Sequence, residues 1–525
     1  MSERGGLPYV RFGLIERALS VFAPDRARRR YDSRIALEVK RRLYDGAQGG
    51  RLTSGWSAGR TAADAEISLA GPALRARSRD LVRNNPLAAQ AVQVLVNNIV
   101  GAGIRPRAKS ASKTRNKKVD AVFDLWSKRA DIHGHTDFYG LQALAVREML
   151  EGGEVFAIRR QLGAPHRRKG AVPLQIELFE ADHLDESRDA IESGAGRSVR
   201  QGIEYDDSGR RAAYWLHPIH PGDSTPGWRG LQNSVRMPVE QVAHLFERQR
   251  VQSRGVPWGA PAMVALRDYG DWHLAEMVRK KTEACLVGVV LGDDAGGEPG
   301  IAPAVEDADG NPIEQFSPGM IAYARNGKEI KFNQPSSAGG VAEWTRVQQH
   351  LIAAGFRVPY ALLTGDLSQA NFSSNRAGLN EFRRMVDLLQ WHVVIPMLCE
   401  PLWRWFCEAA HAAGLIDSAD VPVEWACPKV ESVNPKQDAE TDLIEVRAGF
   451  TSRTQIVARR GWDVRQVEAE IAQDNAEADR QGLIFDSDPR LRSRQGQAQN
   501  EGGGDAAPPG EAGDDAPASD ENEKD

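Results

Sequence analysis

One short motif has the residue types and the spacing of a covalent catalytic element. Residues 55–59 read Gly-Trp-Ser-Ala-Gly, the G-x-S-x-G pattern in which a serine, here Ser57, would attack an acyl carbonyl. That chemistry needs a buried strand before the serine and a helix after it. Residues 48–54 read Gln-Gly-Gly-Arg-Leu-Thr-Ser and have no strand pattern, so a connector explains the motif better. A serine hydrolase built on Ser57 is therefore a remote alternative.

A second cluster has the residue types of a metal site. Two aspartates and two histidines alternate along one short segment: Asp131, His133, His135 and Asp137. An extended backbone would present all of them on one side. A metal site also needs a rigid framework and outer hydrogen bonds, whereas this segment is a short link between two predicted helices. We expect solvated loop residues here and no bound metal.

Other catalytic signatures do not occur in the sequence. The chain has no P-loop, no G-x-G-x-x-G turn and no H-E-x-x-H pair. Its four cysteines include no C-x-x-C pair, which excludes a disulfide scaffold and a thiolate zinc finger. His217 and His220 lie in a Pro-rich loop, and Cys399 and Cys407 fit the core face of a helix. The sequence therefore assigns no catalytic residue and no cofactor, and we do not expect an enzyme.

The elements that would position any site belong to a long chain of ordinary composition. Of its 525 residues, 41 % are hydrophobic and 26 % are charged, as in chains that bury a sizeable core. At about 150 residues per domain, this length suggests several units. No apolar run reaches the ~18 residues of a membrane span, so no membrane partner is expected. Predicted helices outnumber predicted strands, and the fold class is therefore α+β, mainly α.

Hydrophobic periodicity predicts the elements of the first half. Helices are expected from Pro72 onward, from Pro86 behind an Asn85 cap, and along apolar stripes at 119–126 and 138–149. Strands are expected at 154–159, 174–179, 199–205 and 211–217, and residues 242–246 could close the same small sheet.

The sequence of the second half of the chain predicts a β insert between two helices. One helix should end near residue 284 and another should cover 341–355, with a strand at 285–291 and a hairpin around Asn326-Gly327 between them. A very long helix should occupy 373–412, bent where Pro396 and Pro401 remove backbone donors. A helical pair at 437–448 and 463–481 should follow.

The two ends differ in charge, although the net charge of the chain is only −5. Residues 1–60 carry thirteen Arg and Lys against six acids, whereas residues 501–525 carry nine acids and one Lys. The segment 486–525 has no aromatic residue, which predicts disorder. The basic arm 1–60 could dock on a partner or remain mobile. If the arm alone binds DNA, the chain would be a soluble DNA-binding scaffold, and the residues leave that alternative open.

Several short motifs together resemble the lambda-type portal proteins of tailed bacteriophages. They span roughly residues 70–480: RDLVRNNP at 79–86, NNIVG at 97–101, GIEY at 202–205, HLF at 244–246, RGVPW at 254–258, IAAGF at 352–356, PY at 359–360, LTGD at 363–366 and NFSSNR at 371–376. The family more often has Tyr at the position of Phe372 and a small residue at that of Asn375.

The resemblance implies a ring, typically dodecameric, at one capsid vertex of the virion, assembled in the host cytoplasm. Double-stranded DNA would slide through its channel during packaging and ejection, without sequence-specific contacts. The terminase large subunit and a head-completion protein would dock on the ring, and the major capsid and scaffold proteins would contact it. The family architecture divides the chain into a basic arm 1–60, wing 61–258, stem helix 259–284, clip 285–335, returning stem helix 336–358, tunnel loop 359–372, long wing helix 373–416, crown 417–485 and acidic tail 486–525.

The resemblance also implies where DNA and the motor would bind. We predict that a polar turn and the end of the first stem helix line the channel: Gln369, Asn371, Ser373, Ser374 and Arg376, with Arg279, Lys280 and Lys281. Ser373 or Ser374 could instead cap the long helix, and the basic triplet could pair with acids of a neighbouring subunit. The β insert 285–335 is the predicted docking site for terminase.

Overall fold

The computed structural model describes residues 59–163, 170–191, 197–223, 233–284, 288–292, 321–325, 330–332, 340–368, 372–428, 435–460, 462 and 464–485, with a few isolated residues before 59. The chain divides into two units, Met1–Glu66 and Ile67–Asp525. The motif around Ser57, most of the basic arm, the acidic tail and most of the segment 293–339 lie outside the described residues.

Helices make up most of the described structure. The described residues form twelve α-helices: α1 (Ala63–Asn84), α2 (Pro86–Ile99), α3 (Lys113–Ser127), α4 (Phe138–Gly152), α5 (Met263–Ala284), α6 (Val341–Phe356), α7 (Tyr360–Thr364), α8 (Phe372–Leu389), α9 (Glu400–Ala412), α10 (Pro435–Arg447), α11 (Arg453–Arg459) and α12 (Val464–Gln481). No described helix is both long enough and apolar enough to cross a membrane.

Helix boundaries follow the capping residues. Asn85 caps α2, because its side-chain oxygen accepts a hydrogen bond from Leu87 N at 3.0 Å, which confirms the predicted start. Helix α1 begins at Ala63, well before Pro72, so the predicted start at Pro72 is wrong. The residues before Pro72 include good helix formers, and Asp64 and Glu66 suit the positive end of the helix dipole.

Thirteen strands form four small sheets among the described residues. They are β1 (Arg105–Ala108), β2 (Glu154–Gln161), β3 (Leu174–Glu180), β4 (Ala190–Ile191), β5 (Ser198–Arg200), β6 (Ile203–Tyr205), β7 (Arg211–Leu216), β8 (Val235–Pro238), β9 (Val242–Phe246), β10 (Gly288–Gly292), β11 (Ile321–Arg325), β12 (Ile330–Phe332) and β13 (Val423–Ala426). The strand orders are β3-β2-β9, β4-β5-β6-β7-β8, β1-β13 and β11-β10-β12.

Two sheets stand where the sequence predicted a single small one. Strand β9 pairs with β2, placing Phe156 opposite His244, whereas β5 to β8 belong to the five-stranded sheet. The predicted strand 199–205 is also wrong, because it consists of β5 and β6 joined by a tight turn. Gln201 and Gly202 have φ values of 51° and 77°, which reverse the chain and let the two strands pair.

The β insert contains the predicted strands but not the predicted hairpin. Strands β11 and β12 flank Asn326-Gly327, yet both pair with β10, which lies between them. The sequence of β10 includes Val289-Val290-Leu291, and a central position gives such an apolar strand ladder partners on both edges. A turn motif identifies a chain reversal, but it does not determine which strand becomes the neighbour.

Three C-terminal helices are present where the sequence predicted a pair. The additional helix is α11, between α10 and α12. Ser452 and Gln455 form a capping box at its start, with Gln455 N donating to Ser452 Oγ at 3.1 Å. This local signal was present in the sequence and was missed because the helix is short.

Aromatic side chains from α3, α4 and α9 form the centre of the core in the larger unit. The ring of Phe123 lies 5.1 Å from that of Phe406 and 5.3 Å from that of Phe138, both edge to face. Trp126 packs 5.2 Å from Phe406, and its Nε1 donates to Leu174 O at 2.8 Å. These buried rings confirm the predicted apolar stripes and hold the three helices together.

The predicted long helix is present but changes its hydrogen-bond pattern midway. Helix α8 continues through a π-helical segment, Gln390–Cys399, into α9. Pro396 lies inside that segment, and a wider helical turn can accommodate a residue that has no N–H donor. The buried side chain of Gln390 donates from Nε2 to Ile99 O at 2.7 Å, which ties the segment to the end of α2.

Candidate functional site

Helices α5 and α6 pack against each other through aromatic and polar side chains. The rings of Trp272 and Trp344 lie 4.0 Å apart, and Gln349 Nε2 donates to Tyr269 Oη at 3.1 Å. At the core end of the pair, Trp258 Nε1 donates to Phe356 O at 2.6 Å. The two helices that the family resemblance assigned to a stem thus form one packed pair anchored in the core.

This helical pair also exposes a set of large apolar side chains. They are Val264, Leu274, Met277 and Val278 on α5, and Val347 and Leu351 on α6. Leu274 is 60 % exposed and Val347 is 62 % exposed. Leu274 and Val278, like Val347 and Leu351, are one helical turn apart, so they form stripes rather than isolated residues. Apolar stripes of this kind are typical of surfaces that another protein covers.

The predicted DNA-facing cations lie on α5 and α8. Arg279 pairs with Glu276 on its own helix, with Nε 2.8 Å from Oε2, and this hydrogen bond lowers the pKa of Glu276. Lys280 and Lys281 are exposed near the end of α5. Arg376 is half-buried on α8, and its Nη2 lies 3.3 Å from Asp438 Oδ1 on α10. Arg376 therefore also links the long helix to the C-terminal helices.

The polar turn before α8 is described only in part. Gln369 and Asn371 lie outside the described residues, whereas Ser373 and Ser374 lie in the first turn of α8. The helix begins at Phe372, before both serines. Capping by either serine stays a prediction.

A polar network holds the chain that leads into this turn. Tyr360 Oη donates to Asp366 Oδ2 at 3.1 Å, and the Tyr360 ring stacks on His350 with centroids 4.1 Å apart. Asp366 Oδ1 accepts from Ser368 N at 2.9 Å. Hydrogen bonds from Ser368 and Tyr360 lower the pKa of Asp366, so it remains a carboxylate. The network connects the turn to α6.

The alternating Asp and His segment forms a hydrogen-bonded loop. The Asp131 carboxylate accepts from the backbone N–H groups of His133 and His135 at 3.2 Å and 2.8 Å. Asp137 caps α4, accepting from Gly140 N at 2.8 Å. The prediction of loop residues is confirmed, but Asp131 is buried rather than solvated, because backbone donors replace its water.

A different group of side chains has metal-ligand geometry. Glu180, Asp182 and His220 place their ligand atoms within 4.8 Å of one another. Two guanidinium groups already contact these carboxylates: Arg79 Nη2 lies 2.8 Å from Glu180 Oε2, and Arg75 Nε lies 3.2 Å from Asp182 Oδ1. Cations at that distance repel a divalent ion, so the arrangement favours an ion-paired network. Sequence reasoning missed the group because His220 is distant in sequence from both acids.

Fully buried charges meet where β2, β9 and residues 254–255 come together. Glu154 accepts from Arg254 Nε at 2.6 Å, from His244 Nε2 at 2.9 Å and from Gly255 N at 2.8 Å. Burial alone would raise the pKa of Glu154, but Arg254 and His244 hold it well below its usual range. Arg254 Nη2 also contacts Glu186 Oε1 at 2.9 Å. The RGVPW and HLF motifs thus contribute to one structural cluster.

His244 is neutral in this cluster. Burial lowers its pKa to about 4, although the Glu154 carboxylate opposes that effect. Its Nδ1 lies 2.9 Å from Arg211 Nη1, and a guanidinium group can only donate. Nδ1 is therefore the acceptor, and Nε2 carries the proton that is donated to Glu154. One histidine orients two charged partners on different strands.

Glu148 on α4 is a buried acid with an incomplete set of hydrogen bonds. Its Oε2 atom has no hydrogen-bond donor among the residues that the structure describes. Burial and, to a smaller extent, the nearby Glu180 carboxylate raise the pKa of Glu148 to about 7, against the opposing effect of Arg79. The carboxyl group is therefore partly protonated near neutral pH.

We expect Glu148→Gln to stabilise the protein at pH 8 by about 2–3 kcal/mol and to have little effect at pH 4. The native state holds this proton more tightly than the unfolded state, so the wild type loses stability as pH rises from 4.5 to about 7. Urea unfolding across that range measures the effect. Glu381→Gln, at an exposed position on α8, is the control and should show no such trend. An E148Q effect that does not change with pH would contradict the assignment.

Comparison with known proteins identifies the family. Residues 49–390 match the family model described as phage portal protein, lambda family. A probable portal protein of Halomonas phage phiHAP-1 is 27 % identical over 467 residues, covering 84 % of this chain and 88 % of the relative. The portal protein of Escherichia phage N15 is 23 % identical over 498 residues, covering 83 % and 90 %. A chain in the neck of an empty GTA particle is 16 % identical with a TM-score of 0.43, covering 79 % of this chain and 98 % of that chain.

The chain belongs to the lambda family of phage portal proteins, since the family model matches well over half of it. The resemblance that the short motifs indicated is thereby confirmed, and with it the portal function. The family is structural rather than enzymatic. The described fold agrees with the predicted class at the level of a mainly helical chain with several small sheets.

Proposed function

We propose that copies of this chain assemble into a closed ring, typically of twelve, at one capsid vertex of a tailed-phage virion. Double-stranded DNA passes through the central channel during packaging and ejection. The ring docks the terminase large subunit and then a head-completion protein, and the major capsid and scaffold proteins surround it. Family membership supports this function. The single structural observation that supports assembly into a ring is the set of exposed apolar stripes on α5 and α6.

The proposed domains follow the family architecture and use the observed elements. The wing includes α1 to α4 and strands β1 to β9, with the long helix from α8 to α9 as its spine. Helices α5 and α6 are the stem, and the insert with β10 to β12 is the clip that docks terminase. The tunnel loop includes α7 and the turn before α8, and α10 to α12 belong to the crown.

The stem face is the proposed contact between neighbouring copies. Leu274, Val278, Val347 and Leu351 leave a large apolar area in water when the chain is alone. Each buried side chain of this size gains about 1.5–3 kcal/mol, and a ring repeats the gain at every interface. A heterologous contact closes into a ring when each copy presents one face to the next.

The proposed channel lining keeps the residues that the sequence singled out. Lys280 and Lys281 lie near the end of the stem helix, and Arg376 follows the segment that contains Gln369 and Asn371 in the sequence. Repeated around a ring, even one cation per chain becomes a positive belt that contacts phosphates and reads no bases. The contacts of Arg279 with Glu276 and of Arg376 with Asp438 would position those side chains at the channel wall.

Leu274→Glu combined with Val347→Glu tests the ring. We expect the wild type to elute with a native mass many times the 57.6 kDa of one chain, and the variant to elute as a single chain with unchanged circular dichroism. Charges buried without partners oppose assembly by several kcal/mol per interface. Val251→Glu, at an exposed apolar residue outside both helices, is the matched control and should preserve the ring. A single-chain wild type would instead favour the DNA-binding scaffold.

A further inference from the structure

A strongly basic surface covers β1 and the start of α3. Residues 105–118 contain seven cations and no acid: Arg105, Arg107, Lys109, Lys113, Arg115, Lys117 and Lys118. Arg107 and Arg115 are half-buried, and the other five are exposed. We call this set the β1–α3 surface. None of the predicted channel residues belongs to it, and neither does the basic arm.

The cations on α3 oppose the electrostatics of their own helix. Ser112 caps α3, and its first turn contains no acid, although Lys113 and Arg115 lie there. The N-terminus of a helix has a partial positive charge that favours anions, so cations at that end reduce helix stability. Folding alone therefore gives no reason for this placement, whereas an anionic partner would interact favourably with both the helix end and the side chains.

Neighbouring acids neutralise only part of the surface. Lys109 pairs with Glu424 on β13 at 3.1 Å, and Lys118 pairs with Asp417 at 2.8 Å, with all four side chains about half exposed or more. Such exposed pairs contribute little stability and exchange readily for other partners. Among the described residues, Lys113 and Lys117 form no ion pair. The buried Nε of Arg115 likewise has no hydrogen-bond acceptor there.

The side chains between the cations favour phosphate over a protein partner. Ser110, Ala111 and Thr114 separate them, and no aromatic or large apolar residue lies between 105 and 118. Protein interfaces are organised around aromatic and apolar anchors and are depleted in lysine. Phosphate contacts instead use Arg, Lys, Ser and Thr side chains and helix N-termini. This surface has all of those groups, and the half-buried Tyr139 ring, 5.7 Å from Arg105 Cζ, lies at its edge rather than among the lysines.

The elements that carry this surface differ from those of the proposed stem. Strand β1 pairs with β13, and α3 packs through Phe123 and Trp126 onto α9. The stem helices are instead attached through Trp258 and Phe356. We propose that the β1–α3 surface binds the phosphate backbone of double-stranded DNA outside the channel. The binding of DNA by this surface does not depend on the proposed ring. Its location outside a channel does.

Covalently closed circular DNA distinguishes this surface from a channel, because a closed circle cannot thread through a closed ring. The full chain is titrated with relaxed closed circular DNA, and with a short linear duplex, over a series of salt concentrations. We expect Lys113→Gln with Lys117→Gln to weaken binding to both DNAs by about tenfold at moderate salt. The slope of log affinity against log salt should fall by about two, one for each lost phosphate contact.

Lys436→Gln with Arg210→Gln is the matched control, since it removes the same charge from two exposed positions on other elements. We expect this control to change affinity less than about twofold. Equal losses in both variants, or unchanged binding in the lysine variant, would overturn the proposal. The proposal would also be overturned if the wild type bound polyglutamate through these lysines and did not bind DNA. A single-chain native mass with lysine-dependent DNA binding would contradict the ring and preserve this surface.

Discussion

Arg254→Met is expected to destabilise the protein by about 3–5 kcal/mol. Arg254 is 2 % exposed and is the guanidinium partner of Glu154, whose side chain is fully buried, and of Glu186. Methionine preserves much of the side-chain volume but leaves the buried Glu154 carboxylate without its main counter-charge. Urea and thermal unfolding measure the loss, and hydrogen exchange should show reduced protection in β2 and β9 first, because Glu154 and His244 join those strands.

Two further variants separate charge pairing from packing. Arg384→Met removes an arginine whose ion pair with Glu381 is 78 % exposed on both sides, and it should cost less than about 1 kcal/mol. Glu154→Gln combined with Arg254→Met removes both charges and should be less destabilising than Arg254→Met alone. Glu154→Gln alone completes the cycle. If the double variant loses as much unfolding free energy as Glu154→Gln and Arg254→Met lose in sum, the two charges do not interact and the cluster contributes only shape.

Local signals in the sequence predicted helices better than sheets. The Asn85 cap and the apolar stripes on α3 and α4 involve contacts within a few residues, so their pattern is readable without the fold. Strand pairing depends on distant segments, and this is why the β insert was predicted as a hairpin although β10 separates its two strands. The break at Gln201 was missed because a non-glycine residue with positive φ has no clear sequence signal.

The family motifs were readable as a pattern, but their physical roles were not. Arg254 and Glu154 lie 100 positions apart in the sequence, so the charge pair that fixes the RGVPW segment exists only after folding. The run of cations at 105–118 was visible in the sequence and was missed, because a run of like charges does not by itself distinguish a solvated surface from a binding surface. Its exposure and its position at a helix N-terminus became evident only from the fold.

The buried cluster also depends on two glycines that let the backbone segments touch. Gly153 has φ of 91° at the end of α4, and a Cβ there would lie 2.7 Å from the backbone carbon of Val256. A Cβ on Gly255 would overlap the carbonyl oxygen of Gly153. This close approach places Gly255 N at 2.8 Å from Glu154 and brings the adjacent Arg254 against the same carboxylate. The ion pair between Glu154 and Arg254 therefore requires glycine-sized residues at positions 153 and 255.

Gly255→Ala is accordingly expected to destabilise the protein by about 3 kcal/mol or more, because the clash is with backbone and cannot be relieved by a side-chain rotation. The shift would also lengthen the contacts of Glu154, adding an electrostatic loss to the steric one. Gly378→Ala is the matched control: it lies inside α8 with open space around its Cβ position, and it should stabilise the protein by about 0.5–1 kcal/mol. The two substitutions add the same methyl group, and unfolding measurements should give opposite signs. If Gly255→Ala leaves the free energy of unfolding unchanged, the segments 153–154 and 254–256 can move apart without destabilising the protein. That result would contradict the steric requirement proposed for the buried charge cluster.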